Sequence, residues 1–428
     1  MSRPSVVTLG CRLNTLESEI MRNQAIEAGL DDTIIVNTCA VTTQAERQAR
    51  QTIRRLRRDN PDHRIVVTGC AAQLNPEKFA AMDEVDRIVG NAEKLDQAQL
   101  GAADNDATAV SNIMDIPEGE LFQVPMISGF EERTRAFVQV QQGCDHRCTF
   151  CIIPFVRGTN RSVQPERIVD QVRTLCDNGH AEVVLTGVDV SSYGQENDQL
   201  PTLGRLAKQI LDQVPALQRL RITSMDPAFI DDDIFQLLAH EERFMPHLHL
   251  SLQSCDDMVL KRMKRRHNRN DIFGLVRRAR EARPDVIFGA DLIAGFPTET
   301  DKQFDNTLNA VTETGLTYLH VFPYSARPGT PAAKMPRVEG TLIKERAARL
   351  RKAGDLALDK FLQSQIGETV EVLVEQDRKG HTRHFAGVEL SFDAPVGAIV
   401  PAKVNASDAQ NERLIAGPIP SIAKRQHA

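Results

Sequence analysis

No stretch of this chain approaches the ~18 consecutive apolar residues of a membrane-crossing helix. The opening MSRPSVVTLG lacks the charged and apolar blocks of a secretory leader. The expectation is a cytoplasmic protein with no membrane partner. Internal repeats and low-complexity tracts are absent too. Nor is there an excess of positive charge: 52 Lys and Arg stand against 58 Asp and Glu, a formal net charge of −6. A nucleic-acid partner is therefore not announced by bulk charge, and the location of the charges carries more weight. Arg47–Arg58 holds six arginines and no acid, and Lys261–Arg283 holds ten Lys and Arg against Asp271 and Glu281. Each block reads either as a contact for an anionic partner or as a solvated helix face.

At 428 residues, with 41% hydrophobic and 26% charged residues, the chain is long enough for two or three soluble domains. The first hundred residues alternate Val/Ile-rich runs (SVVTLG, DTIIVNT, RIVVTG, VDRIVG) with helix-like stretches, as βαβ units of a parallel sheet do. Residues 104–132 lose this periodicity and read as a linker after a domain spanning 1–103. Between 133 and 360 six further runs (RAFVQVQQG, AEVVLTG, RLRITS, HLHLSL, DVIFGADLIAG, TYLHVFPY) alternate with helices, which suggests a (β/α) barrel. From 361 to 428, GETVEVLVEQ, HTRHFAGVEL and GAIVPAKVNAS alternate with period two and predict a small all-β module. The fold class expected is α/β with a small β-module at the C-terminus.

Eight cysteines in a cytosolic chain point to metal or catalysis rather than disulfides. Cys144, Cys148 and Cys151 form Cys-x3-Cys-x2-Cys directly after the first strand of the second domain. Three thiolates on one loop can hold three irons of a 4Fe-4S cluster and leave the fourth iron open for S-adenosylmethionine. A zinc loop is the alternative, and it needs a further Cys or His, or a three-ligand catalytic set. Cys11, Cys39 and Cys70 each end a predicted parallel strand. The carboxyl ends of such strands open into one crevice, so the three are expected to converge and again leave one iron free. Cys176 lies on the apolar stripe of a helix and reads as core. Cys255 follows HLHLSLQS, could face the barrel mouth, and has no partner in sequence.

These patterns, in this order, resemble the methylthiotransferase family of radical-SAM enzymes: an N-terminal domain with three cluster cysteines, a radical-SAM barrel and a C-terminal TRAM-type β-module. The run GCRLNTLESE, the spacing from Cys11 to Cys39 to Cys70 and the stretch LHVFPYSARPGTPAAKM are similar to the branch that modifies threonylcarbamoyladenosine in tRNA. The resemblance implies two 4Fe-4S clusters and S-adenosylmethionine as cofactors, and the anticodon stem-loop of tRNA as partner, beside an unidentified electron donor and sulfur source. It also implies the reaction. One S-adenosylmethionine methylates sulfur at the Cys11/Cys39/Cys70 cluster, a second yields the radical that removes hydrogen from carbon 2 of the adenine, and the methylthio group is transferred there.

By the same resemblance Phe150, Gly187, Ser224, Gly295 and Glu299 are expected at S-adenosylmethionine, while Asp291 stands where the superfamily often has Gly. A carboxylate-reading residue is expected within Lys261–Arg266, and RNA contacts at Arg378, Lys379, Arg383 and Lys403 of the β-module, which could instead only cap the barrel. Isopentenyladenosine in tRNA and a ribosomal-protein aspartate are the alternative substrates. An iron–sulfur electron carrier or an RNA-binding scaffold is the alternative of another class.

Overall fold

In a computed structural model describing residues 2–102, 108–117, 120–131 and 133–419, the Val/Ile runs of the N-terminal region form one parallel sheet. Its strands are Ser5–Thr8 (β1), Thr33–Thr38 (β2), Arg64–Gly69 (β3), Arg87–Val89 (β4) and Thr108–Ala109 (β5), paired in that order. Arg12–Glu27 (α1), Thr43–Asp59 (α2), Cys70–Leu74 (α3), Pro76–Ala80 (α4) and Gln97–Gly101 (α5) connect and flank them. Every residue of β2 is buried, as in a sheet covered on both faces. β5 corrects the expected linker. Part of 104–132 completes the sheet, and Ile127 and Phe130 are buried in the barrel's core. Two residues are too few to show a period, which hid the strand. Residues 104–107, 118, 119 and 132 of that stretch lie outside the described residues.

The six runs of the second region all form parallel strands. Arg135–Gln142 (β6), Glu182–Gly187 (β8) and Arg219–Ile222 (β9) make one half, with the short antiparallel Arg161–Ser162 (β7) on its edge. His247–Gln253 (β10), Ile287–Ala294 (β11) and Leu316–Pro323 (β12) make the other. Parallel bridges Leu220–Phe244 and Met225–Leu250 join the halves into a partial barrel. Outside it lie Ile153–Arg157 (α6), Pro165–Asp177 (α7), Leu203–Gln213 (α8), Asp232–His240 (α9), Asp257–Met263 (α10), Arg269–Ala282 (α11) and Asp301–Thr314 (α12). Capping boxes, Asn268 with Asp271 and Thr300 with Gln303, fix where α11 and α12 begin. The first two regions share packing. Leu16 and Ile20 of α1 join the barrel's core, and Ile152 and Val156 join that of the N-terminal sheet.

Helix Gly340–Ser364 (α13) leads to a closed five-stranded barrel of Thr369–Gln376 (β13), Lys379–Thr382 (β14), Gly387–Leu390 (β15), Ile399–Asp408 (β16) and Arg413–Gly417 (β17). It docks on the amino ends of the large barrel's strands, opposite the cysteine loops. Arg219 Nη2 donates to Glu371 O (3.0 Å), Arg221 Nη2 to Thr382 O (3.0 Å), and His247 stacks on Phe385 with centroids 5.3 Å apart. Arg383 donates to Glu242 O (2.7 Å), Lys403 to Gly367 O, and Arg378 Nε lies 3.8 Å from Asp393 Oδ1, so three of the four cations expected to meet RNA already have partners. No helix among the described residues is long and apolar enough to cross a membrane.

Candidate metal centre

Cys11, Cys39 and Cys70 stand one or a few residues beyond β1, β2 and β3. The register that sets Thr8 beside Asn37 and Thr38 beside Gly69 gathers them at one edge of the sheet. Gly10 makes the approach possible: at φ +115° any Cβ would sit 2.9 Å from Cys39 Cβ. Cys39 and Cys70 are buried, while Cys11 opens to the crevice. Burial raises the Cys39 thiol to about 11, with Cys70 and Cys11 close enough to add to the effect.

Cys144, Cys148 and Cys151 are half-buried on the loop between β6 and α6. Gly143, at φ +74°, starts that loop where a Cβ would lie 1.7 Å from Thr159 O. Burial pushes Cys151 up to about 12 and Cys144 further still, the latter helped by Asp189.

Raised thiols do not by themselves single out ligands, since burial raises Cys176 and Cys255 in the same way. Donor spacing separates a cluster from a single ion. Among the described residues, the groups with all ligand atoms within 4.8 Å are Cys144–His146–Asp189 and His249–Asp291–His320; neither cysteine trio is one of them. His146, the further donor that zinc would need, has its Nε2 2.9 Å from Asp189 Oδ2 and its ring stacked on Phe229. Neither trio is therefore drawn together around a single small ion.

A cavity of about 240 Å³ lies between the two loops. Val41 and Thr42, just beyond Cys39, form one wall, and Phe150, between Cys148 and Cys151, forms another. Gln253, Asp291, Ile293 and Phe322 of the barrel strands complete it. Phe150, expected at S-adenosylmethionine, is thus the one residue of that expected set that lines this cavity.

Gly187, Ser224, Gly295 and Glu299 do not line the cavity. The Ser224 carbonyl accepts from Ser251 Oγ (3.4 Å), and a Cβ at Gly187 would meet Gln141 O at 2.8 Å. Glu299 is tied to its own turn and to α13. Its carboxylate accepts from Gly295 N (3.0 Å) and Arg346 Nη1 (2.9 Å), and burial outweighs Arg346 to raise it to about 7. It braces the turn after β11. Part of Lys261–Arg266 packs on the cysteine loop, while Lys261, Lys264 and Arg266 are exposed. Thr149 Oγ1 donates to Arg262 O (2.8 Å), and Arg265 is held by Asp226 (2.9 Å) with Nη1 3.6 Å from Cys148 Sγ. Cys255 is fully buried in the core, and Cys176 packs against the core as expected.

Sequence reasoning missed the polar interior of the barrel. Asp291 Oδ1 accepts from His249 Nε2 (3.0 Å) and His320 Nδ1 (3.1 Å). Burial alone would raise the Asp291 carboxyl, but these two hydrogen bonds hold it well below the usual carboxylate range. Arg12, beside Cys11, is half-buried within electrostatic reach of Asp291, Arg135 and Arg221. It makes no hydrogen bond or ion pair among the described residues. Alternation along HLHLSL and DVIFGADLIAG put polar residues on one face, a signal for a polar lumen.

Residues 138–311 match the Radical SAM superfamily, and residues 3–90 match UPF0004, described as an uncharacterized protein family. The threonylcarbamoyladenosine tRNA methylthiotransferase MtaB of Rickettsia prowazekii is 49% identical over 94% of each chain. Its namesake from Bacillus subtilis is 33% identical over 93% of this chain and 92% of that one. A tRNA-2-methylthio-N(6)-dimethylallyladenosine synthase from Roseobacter denitrificans is 30% identical over 93% and 95%. Among solved structures, the radical S-adenosylmethionine methyltransferase TsrM of Kitasatospora setae shares the fold, with TM-score 0.55 and 15% identity over 78% of this chain and 75% of that one. With this identity along nearly its whole length, the chain belongs to the MtaB-type branch of the radical-SAM tRNA methylthiotransferases.

Proposed function

We propose that this enzyme, working in the cytoplasm, methylthiolates carbon 2 of threonylcarbamoyladenosine beside the anticodon of tRNA. One observation carries the reading: a single cavity has walls from both cysteine loops, so two cluster sites can act on one substrate atom. Cys144, Cys148 and Cys151 are the ligands assigned to the cluster that meets S-adenosylmethionine, and Cys11, Cys39 and Cys70 those of the auxiliary cluster. When bound, the two 4Fe-4S clusters supply the electron that cleaves S-adenosylmethionine and the sulfur that is transferred.

The chain's own residues place the reactants. Phe150 and Ile293 offer apolar walls for a purine, and Gln253 a side-chain amide. Arg12 is the cation available to the threonylcarbamoyl carboxylate, and the Asp291 carboxylate is already engaged by hydrogen bonds from His249 and His320. Residues 1–103 would present sulfur, 133–360 generate the radical, and 361–428 cap the barrel while leaving Lys379 for RNA.

An anaerobic assay with S-adenosylmethionine and a reductant, read by mass spectrometry of tRNA nucleosides, tests the reading. Transcripts carrying threonylcarbamoyladenosine should be methylthiolated, while those with unmodified adenosine or isopentenyladenosine react poorly. Preferential reaction of isopentenyladenosine, or of a ribosomal protein, would overturn the substrate.

A further inference from the structure

Cys70 is approached by a residue from the other domain. Arg157, the last residue of α6, is 2% exposed, and its Nε stands 3.1 Å from Cys70 Sγ. The rest of the guanidinium is fixed. Nη2 donates to Asn14 Oδ1 (2.8 Å) and Glu17 Oε2 (3.1 Å), and Nη1 donates to Glu17 Oε1. Asn14 Oδ1 in turn lies 3.7 Å from Cys11 Sγ. Glu17, fully buried, is also bound by Lys94 Nζ (2.5 Å), which reaches Asn91 Oδ1 (2.7 Å); Asn91 Nδ2 lies 3.8 Å from Cys70 Sγ. Two buried cations and one buried anion leave one positive charge in excess beside these thiols.

The barrel trio has the opposite surroundings. Arg265 approaches Cys148, but Asp226 neutralises it, and Cys144 Sγ faces Asp189 Oδ2 at 3.6 Å. Hydrogen bonds to cluster sulfurs and nearby positive charge stabilise the more negative, reduced state of an iron–sulfur centre.

We propose that Arg157 is a positioning residue that holds the auxiliary cluster at a higher reduction potential than the barrel cluster, while binding the radical-SAM loop to the auxiliary crevice. The proposal rests on the reading of Cys11, Cys39 and Cys70 as ligands. A buried ion pair that merely joined two domains would leave the potential unmoved, so the potential is the readout.

The test is a redox titration followed by electron paramagnetic resonance. It uses full-length protein with Cys144, Cys148 and Cys151 replaced by Ala, so that the auxiliary cluster is the one centre observed. Arg157→Gln, which leaves Glu17 paired with Lys94, should shift the midpoint to more negative values. Arg157→Lys, which keeps the charge but not the fork of donors, should shift it less, and Glu17→Gln should shift it the other way. An unchanged midpoint in Arg157→Gln overturns the proposal. If that variant loses its iron, an unchanged midpoint in Arg157→Lys does so instead. Failure of the parent, with Arg157 in place, to hold about four irons would instead refute the ligand assignment of Cys11, Cys39 and Cys70.

Discussion

A single methyl group at position 143 tests the barrel's cysteine loop. Alanine there would combine a left-handed backbone with a Cβ driven into Thr159 O, which the loop can relieve only by opening. Gly143→Ala should lower bound iron from about eight to about four per chain and abolish S-adenosylmethionine cleavage; full iron content would refute the strain argument. Arg12 is the corresponding test of recognition. A charge-assisted hydrogen bond to a carboxylate is worth about 1.5–3 kcal/mol. Arg12→Ala should therefore reduce kcat/KM for threonylcarbamoyladenosine tRNA by about tenfold to a hundredfold, with iron content and uncoupled S-adenosylmethionine cleavage preserved. An equal decrease on unmodified tRNA would show that Arg12 reads something other than the carboxylate.

The arginine helix α2 is the element whose sequence pattern and structure agree only in part. Arg47, Arg54 and Arg58 are exposed along it, as the three- and four-residue steps predict, but Arg50 is half-buried, and Arg57 is tied to Asp86 and His63 O. The amino end of α2 is fixed at the barrel mouth, where Glu46 pairs with Arg327 and Thr43 N donates to Ser325 Oγ (3.3 Å). The stripe therefore leads away from the cavity at a set angle, as a track for tRNA phosphates would. Arg54→Glu with Arg58→Glu should weaken tRNA binding and flatten its salt dependence, by about one in slope for each phosphate no longer neutralised. Cleavage of S-adenosylmethionine without tRNA should be unchanged. Affinity that does not move across a salt series would make α2 a solvated face.

At the scale of the molecule, the junction of barrel and β-module carries an acid dependence. Burial would raise Glu375, but the hydrogen bond from His381 Nδ1 (2.8 Å) and the charge of Arg135 outweigh it and hold the carboxyl at about 2. A depressed carboxyl stabilises the fold fully above its ordinary value near 4.5, and that contribution is lost as pH falls toward 2. The upper bound is about 3 kcal/mol. Glu375→Gln should be less stable than the parent at pH 6 and should lose less stability between pH 5 and pH 3, as read by urea unfolding. Parallel pH curves for the two proteins would remove Glu375 from the account.

What the sequence disclosed follows the range of the interactions. The cysteine trios were legible because Gly-Cys and Thr-Cys close Val/Ile strands, a local signal that topology turns into convergence. Arg157 with Glu17, 140 residues apart, and Lys94 with Glu17, 77 apart, left no local trace. Glu299 was placed at the cofactor by its motif, whereas its partner Arg346 stands 47 residues away on a helix that the motif does not include.

The Arg157–Glu17 pairing also bears on how the protein is made. A ribosome releases Cys11, Cys39 and Cys70 well before residue 157, so the auxiliary crevice spends part of its synthesis without the cation that reaches both Glu17 and Cys70. Iron loading then has a direction: the first cysteines translated belong to the site completed later, once the radical-SAM loop has folded back onto α1. Nascent chains arrested short of residue 157 should take up less radioiron than chains arrested after the barrel, and equal uptake at Cys11, Cys39 and Cys70 in the two would mean that the N-terminal sheet matures unaided.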